Sequence, residues 1–186
     1  MKRDTRDRAR EEKGEEREKE KEKEKSNTKK YVFSFLMLCL VFYLFYYLTT
    51  GSGLMLHVRT ATALILASIF SLAGMDVAVK GTILSVNGFS LDIIDECTAV
   101  FPAIIYCSCI LAYPARLKKK SLGILIGVPA LYAINLFRIA ILTFVGLYNP
   151  NMMEFVHVYL WQGSFIIFVV VLFLIWLKIA NESGEG

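Results

Sequence analysis

The chain is 186 residues long, and 55% of its residues are hydrophobic. Its charges are concentrated at one end, since residues 1–30 carry 13 of the 21 Lys and Arg residues and 10 of the 17 Asp and Glu residues. The remaining 156 residues hold only 15 formal charges, whereas charged residues make up roughly 25% of a soluble domain. This composition excludes a soluble globular protein and indicates a short polytopic membrane protein. The net charge of +4 averages over two unlike parts, so no nucleic-acid partner is expected.

The N-terminal segment, residues 1–30, has no aromatic residue and no run of core-forming residues. Such a segment cannot bury enough apolar surface to offset the entropy of ordering it, although its Glu, Lys and Arg residues favour a solvated helix through weak i,i+4 pairs. It is too long and too mixed in charge for a signal peptide. We therefore predict three parts: a disordered or solvated tail over residues 1–30, a transmembrane domain over 31–180, and a short tail over 181–186.

Apolar stretches long enough to cross a bilayer follow this tail. A hydrocarbon core of about 30 Å requires about 20 helical residues. The predicted fold is an all-α polytopic membrane protein with about five transmembrane helices, over residues 31–50, 60–75, 97–115, 121–153 and 155–177. The second of these stretches is long enough to cross only if residues 54–58 are added to it, and is otherwise re-entrant.

An extended segment is expected before the third helix, over residues 76–96. It alternates in polarity, is rich in β-branched residues and contains Asn87-Gly88, the dipeptide typical of a tight type I′ hairpin turn.

Basic residues near the helix ends predict the orientation, because they favour the cytoplasmic side. Arg116 and Lys118–Lys120 follow the third helix and Lys178 follows the fifth, so both ends are expected to be cytoplasmic, with residues 75–96 and 148–156 outside. Lys29-Lys30 indicates the same side for the N-terminus, which conflicts with five full crossings. Either the tail is translocated, or one of the first two segments does not fully cross.

Three chemically distinctive residues fall at one membrane level in this topology. Cys97 begins the third helix and His157 opens the fifth, both near the extracytoplasmic face. Arg138 lies 18 residues beyond Lys120, which is about 27 Å along a helix. An arginine inside an apolar helix is costly and marks a functional or pairing site by default. Asn135, three residues earlier on the same helix face, is its expected polar partner.

These residues permit acyl transfer through a thioester. A cysteine is nucleophilic as its thiolate, and a neighbouring cation lowers its pKa. His157 is suited to accept the thiol proton and return it to the leaving amine. The guanidinium of Arg138 stays protonated, so it is better suited to stabilise a thiolate or an oxyanion.

The same residues resemble the motifs of the exosortase/archaeosortase family of membrane cysteine transpeptidases. The resemblance covers residues 75–178 and rests on their order, spacing and helix placement. It comprises Glu96-Cys97-Thr98 after an extended segment, the N-x-x-R motif Asn135-Leu136-Phe137-Arg138, and His157 with Gly163 beyond it. The family more often has Gly two positions after the cysteine, where this chain has Ala99.

The resemblance implies a thiol protease or transpeptidase of the cell membrane that needs no cofactor. Its partners would be surface proteins whose C-terminal signal comprises a short motif, a transmembrane helix and a basic end. Cleavage would pass through an acyl-enzyme on Cys97, and the new C-terminus would go to an acceptor, expected to be a membrane lipid. The resemblance makes Arg138 the proton donor and His157 the transition-state stabiliser, which partly reverses the roles argued above from chemistry.

Other functions remain open. The main alternative is a small membrane channel or transporter subunit in which Arg138 lines the path. A redox protein using Cys107-Ser108-Cys109 is disfavoured, because residues i and i+2 of a helix do not share a face. A non-catalytic scaffold would tolerate Cys97→Ala. No metal site is expected, since the chain has two histidines and His57 lies in an unrelated loop.

Overall fold

The computed structural model describes the backbone of residues 2–182, and the side chains of these residues except 2–16, 20, 24, 154, 157–162, 181 and 182. Within this range the chain forms five helices, a 3-10 turn and one antiparallel sheet: α1 Lys2–Thr49, α2 Gly53–Leu72, β1 Val77–Lys80, β2 Ile83–Val86, β3 Phe89–Asp92, the turn Asp95–Thr98, α3 Val100–Ala112, α4 Leu117–Tyr148 and α5 Pro150–Glu182. Four of these helices contain a segment long and apolar enough to cross a membrane: Arg17–Thr49, Gly53–Leu72, Leu117–Tyr148 and Gly163–Ala180. The predicted all-α polytopic membrane fold is confirmed.

Helix α1 packs antiparallel to α3. Its Tyr31 ring meets the Tyr113 ring just after α3, with centroids 6.1 Å apart, and its Tyr43 ring meets Phe101 in the first turn of α3, 6.4 Å away. The helix continues across the predicted boundary at residue 30 without a break. The division into tail and transmembrane domain stays a prediction.

Helix α3 is shorter than the predicted span over residues 97–115. It has 13 residues, because the turn Asp95–Thr98 delays its start and Pro114 follows its end. Thirteen residues rise by about 20 Å, too little to cross a core of about 30 Å. Helix α3 by itself is therefore shorter than a full transmembrane span.

Glycines let α4 approach its neighbours closely. Gly123 lies against Trp176 of α5 and Gly127 against Tyr106 of α3, the small-residue packing that is common between membrane helices. Two polar contacts fix these rings, since Tyr106 donates to the carbonyl of Gly123 at 3.1 Å and Trp176 Nε1 donates to the carbonyl of Lys119 at 2.9 Å. One apolar cluster thus holds α3, α4 and α5 together at the basic end.

The predicted hairpin over residues 76–96 is confirmed and belongs to a three-stranded sheet in the order β1-β2-β3. Asn87 and Gly88 both have positive φ, 48° and 84°, as a type I′ turn requires. Leu84, Val86 and Leu91 on the buried face of the sheet share a second apolar cluster with α2. The sheet is therefore anchored to the helices by one face.

Helix α2 runs in the same direction as the second half of α4. Thr62 Oγ1 lies 3.0 Å from the Tyr132 hydroxyl, and the Phe70 ring lies 5.8 Å from the Phe144 ring. Helix α2 therefore starts beside the 3-10 turn and leads away from the end of the bundle that contains Lys119.

This direction bears on the conflict in the predicted orientation. The contact of Tyr31 with Tyr113 places Lys29-Lys30 at the same end as the basic residues that open α4. Helix α2 does not return to that end, although it is long and apolar enough to cross a membrane, so both alternatives for the N-terminus stay predictions.

Helix α5 begins earlier than the predicted span over residues 155–177. Only Asn149 separates it from α4, in place of the loop expected over residues 148–156. Pro150 occupies the first position of the helix, where its missing N–H leaves no hydrogen bond unmade.

Adding a methyl group at Gly127 tests the packing of α4. We expect Gly127→Ala to lower the free energy of unfolding by about 2 kcal/mol, because the new Cβ would overlap the Tyr106 ring. Gly53→Ala is the matched control, since a Cβ there meets no atom within 4 Å. Thermal unfolding in detergent measures both, and a Gly127→Ala midpoint equal to that of the wild type would contradict the close approach.

Candidate active site

Cys97 lies in the 3-10 turn between the sheet and α3. Its backbone N–H donates to the carbonyl of Ile94 at 2.9 Å, and the Thr98 hydroxyl donates to the carbonyl of Asp95 at 2.6 Å, so the turn is closed by its own hydrogen bonds. The Cys97 side chain is 2% exposed and packs in the cluster that joins the sheet to α2 and α4.

The backbone after the cysteine adopts a left-handed conformation. Ala99 has φ 58° and ψ 9°, and it is the residue from which α3 starts. This region is costly for residues with a Cβ and free of cost for glycine. A glycine at this position, as in the exosortase-like pattern, would adopt the conformation without cost, and Ala is the smallest departure from it.

Asn135 connects the turn to α4. Its Nδ2 donates to the carbonyl of Cys97 at 2.6 Å, and its Oδ1 accepts a hydrogen bond from Arg138 Nη1 at 3.3 Å. Asn135 is fully buried and Arg138 is 6% exposed. The predicted pairing of these two side chains is therefore present, and it adds a bond from Asn135 to the backbone of the cysteine.

The guanidinium of Arg138 also meets α5. Its Cζ lies 5.2 Å from the centre of the Phe165 ring, a cation–π distance. Such a contact, in apolar surroundings, offsets part of the cost of burying the charge. Arg138 thus joins α4 to α5 at the level of the turn.

Burial raises the pKa of the Cys97 thiol above its ordinary value of 9.0, while the positive charge of Arg138 acts in the opposite direction. The carboxylates of Glu96 and Asp92 add smaller raising effects. In the substrate-free protein at neutral pH the side chain is therefore a thiol, and a reaction that needs the thiolate also needs a proton acceptor.

Arg59 of α2 fixes the segment that leads to the turn, and the sequence analysis did not single it out. Its Nε donates to the carbonyl of Ile93 at 2.5 Å, and its other nitrogens lie 3.5 Å from Asp92 Oδ1 and 3.7 Å from Asp95 Oδ1. One signal was available: Arg59 is a lone charge in an apolar stretch, the criterion that drew attention to Arg138.

The backbone of His157 belongs to α5, but its side chain lies outside the described residues. Helix α5 meets Arg138 at Phe165, eight residues beyond His157 and about 12 Å further along the helix. The assignment of His157 to the site stays a prediction.

The other cysteines are free thiols, as Cys97 is, and two of them belong to α3. Among the side chains that the structure describes, no group of three or more His, Cys, Asp or Glu residues is arranged to hold a metal ion.

The fold and this geometry define a multi-pass membrane protein with a buried cysteine beside a buried arginine. Residues 25–177 match the family model described as transmembrane exosortase (Exosortase_EpsH). The chain belongs to the transmembrane exosortase family, which confirms the resemblance drawn from its motifs. Membership supports a function of the membrane transpeptidase type and implies substrates with C-terminal sorting signals. No curated protein and no solved structure gives a significant match to the chain.

Substitutions at Ala99 test the left-handed backbone. We expect Ala99→Gly to fold as the wild type does, and Ala99→Val to lower the free energy of unfolding by about 2 kcal/mol, because a β-branched residue strongly resists positive φ. Ala63→Val, at a fully buried position inside α2, controls for the added volume. Thermal unfolding in detergent measures all three, and equal midpoints for the two valine variants would contradict the conformation.

The pH dependence of Cys97 alkylation tests the electrostatics of the site. In a variant lacking Cys39, Cys107 and Cys109, the rate with iodoacetamide should keep rising above pH 9.0, because burial raises the pKa of the thiol. Arg138→Gln should move the inflection to higher pH, since it removes the cation that favours the thiolate, and Arg138→Lys should restore part of the shift. An inflection below 9.0, or one unmoved by Arg138→Gln, would overturn the assignment.

Proposed function

We propose that this protein is a cysteine peptidase and transpeptidase of the cell membrane, with Cys97 as nucleophile and Arg138, His157 and Asn135 as its supporting residues. Its substrates would be surface proteins that end in a short motif, a transmembrane helix and a basic tail, and its acceptor a membrane lipid. The main support for the proposal is a pair of buried hydrogen bonds, in which Asn135 donates to the backbone carbonyl of Cys97 and accepts from the guanidinium of Arg138.

The reaction proceeds in two acyl transfers. In the first, the Cys97 proton passes to a base, the sulfur bonds to the scissile carbonyl carbon, and the C–N bond breaks as the leaving amine takes the proton. In the second, the hydroxyl or amine of the acceptor loses its proton to the base and bonds to the carbonyl carbon of the thioester, the C–S bond breaks, and the base returns the proton to the departing sulfur, which regenerates the thiol. Both steps pass through an oxyanion.

The chemistry of the side chains assigns the roles. Arg138 keeps its proton in nearly any setting, so it stabilises the oxyanion and, in the first step, the thiolate. Because burial holds Cys97 as a thiol, a separate base must take its proton. We assign this role to His157 of α5, because imidazole is the side chain that most often acts as a general base. Asn135 fixes the position of the turn relative to the guanidinium of Arg138.

The site is proposed to face the extracytoplasmic side. Lys29-Lys30, the basic residues that open α4, and Lys178 belong to the opposite end of the bundle, and basic residues at helix ends favour the cytoplasm. Arg138 lies 18 residues, or about 27 Å, from Lys120 along α4.

A channel or transporter with Arg138 in its path has less support. An arginine that lines a path for solutes presents its guanidinium to water, whereas Arg138 is 6% exposed and lies against the Phe165 ring. The surroundings of Arg138 therefore favour the enzyme over the channel or transporter.

Processing in cells tests the proposed function. Cells lacking the protein are complemented with wild type, Cys97→Ala, Arg138→Ala or His157→Ala, and the C-terminal processing of a host surface protein ending in a hydrophobic helix and basic residues is followed. We expect Cys97→Ala to abolish processing while the protein still accumulates in the membrane. Cys107→Ala, which removes a thiol of α3, is the matched control and should process normally.

The outcomes separate the roles. A thioester-linked adduct that accumulates in His157→Ala or Arg138→Ala assigns that residue to the second step, because the first acyl transfer still occurs. Unaltered processing by Cys97→Ala would contradict the cysteine mechanism and direct attention to transport through Arg138.

A further inference from the structure

The outer edge of strand β3 has backbone groups that point away from the sheet. Strands β2 and β3 are antiparallel, with Val86 opposite Phe89. In the same register Ile93 lies opposite Thr82, and Ile93 N donates to the carbonyl of Thr82 at 3.0 Å. Because hydrogen-bonded pairs alternate along an antiparallel ladder, the odd-numbered residues of β3 are the ones that bond to β2. The N–H and C=O groups of Ser90 and Asp92 therefore face the opposite side. Within residues 2–182, β3 pairs with no strand other than β2.

This edge leads directly into the turn with the cysteine. Asp92 ends β3 five residues before Cys97, and both Ser90 and Asp92 are exposed. Arg59 binds the carbonyl of Ile93 and pairs with Asp92 and Asp95, so the edge and the turn are held at a fixed distance from each other.

Among the described residues, the sheet has a second unpaired edge, on β1. Asn87 N donates to the carbonyl of Asp76 at 2.8 Å, which leaves the backbone groups of Val77 and Val79 pointing outward. This edge is separated from β3 by two strand spacings, about 10 Å, and it does not continue into the turn. The side chains of Val77 and Val79 pack against the apolar cluster, whereas Ser90 and Asp92 are exposed, so β3 is the edge whose exposed residues lead into the turn.

We propose that the outer edge of β3 binds the extended segment of the substrate as a fourth strand and delivers its scissile bond to Cys97. The inference rests on the proposed function, and it names the surface on which the substrate is recognised. Main-chain hydrogen bonds to Ser90 and Asp92 would hold a segment of about 3–5 residues, the length over which two alternating bonded pairs extend. Side chains of the segment would alternate between the exposed face and the face that carries Leu91.

Proline at the edge tests the surface without altering a catalytic residue. Ser90→Pro removes an N–H that points away from β2, a position at which an edge strand tolerates proline. We expect it to slow processing of the host surface protein described above by about tenfold or more, as loss of main-chain hydrogen bonds to the substrate predicts. Ser90→Pro also removes the side-chain hydrogen bond between Ser90 Oγ and Ser85 Oγ, which lie 2.7 Å apart. Ser85→Ala removes the same bond from β2, leaves the edge of β3 intact and should process at the wild-type rate.

Alkylation of Cys97 by iodoacetamide, in the background that lacks Cys39, Cys107 and Cys109, reports whether the site is intact in both variants, since the reagent needs no strand pairing. Slow processing by Ser90→Pro with an unchanged alkylation rate supports the proposal. Wild-type processing by Ser90→Pro, or equal slowing by Ser85→Ala, overturns it.

A proline scan of the substrate tests binding at the β3 edge without changing the enzyme. Single prolines are placed at successive positions of the segment before the transmembrane helix of the same surface protein, with the wild-type enzyme. Because every second residue of an added strand bonds to its neighbour, processing should fall at alternate positions. A contiguous block of sensitive positions, or none, overturns the proposal.

The failures are distinguishable. If Cys97→Ala processes the surface protein normally, the proposed function fails. If Cys97→Ala abolishes processing while the scan shows no alternation, the cysteine mechanism stands and only the assignment of the β3 edge fails.

Discussion

One buried hydrogen bond, from Asn135 Nδ2 to the carbonyl of Cys97, attaches the turn to α4. Helix α4 takes part in both apolar clusters, through Ile139 in the cluster of the sheet and α2 and through Leu131 in the cluster of α3 and α5. A buried polar group without a partner costs about 1–3 kcal/mol, so both the amide and the carbonyl favour this single arrangement. The bond fixes where the turn lies on α4, and therefore how far the thiol is from Arg138.

Burying Arg138 constrains everything around it. A charge in apolar surroundings is tolerated only when polar or aromatic partners compensate for the lost water, and here Asn135 on the same helix and Phe165 on α5 supply these contacts. Helix α5 must approach α4 closely for the Phe165 contact to form, and Gly123, which lies against Trp176 of α5, allows this approach. The small residues near the basic end and the polar contacts near the turn thus support the same packing.

Much of this arrangement is visible in the sequence. Three predictions rest on local features of the sequence, and the structure agrees with them. The apolar stretches form long apolar helices, Asn87-Gly88 forms a turn with positive φ, and Arg138 pairs with Asn135. The length of α3 was not predictable from hydropathy, because the residues of the 3-10 turn are as uncharged from Cys97 onward as the helix that follows. The role of Arg59 depends on contacts with residues more than twenty positions away, and no local pattern contains them.

The position of the site between sheet and helices reconciles two opposing demands of the proposed reaction. A thioester on Cys97 that awaits an acceptor other than water would last longer where water is excluded, and Cys97, 2% exposed, is in such a place. An extended substrate segment has backbone groups that cost several kcal/mol each if left unsatisfied in an apolar layer. Helices offer no partners for these groups because their own are used internally, whereas the edge of a sheet does. A short sheet that ends five residues before a buried cysteine meets both demands, which a bundle of helices alone would not.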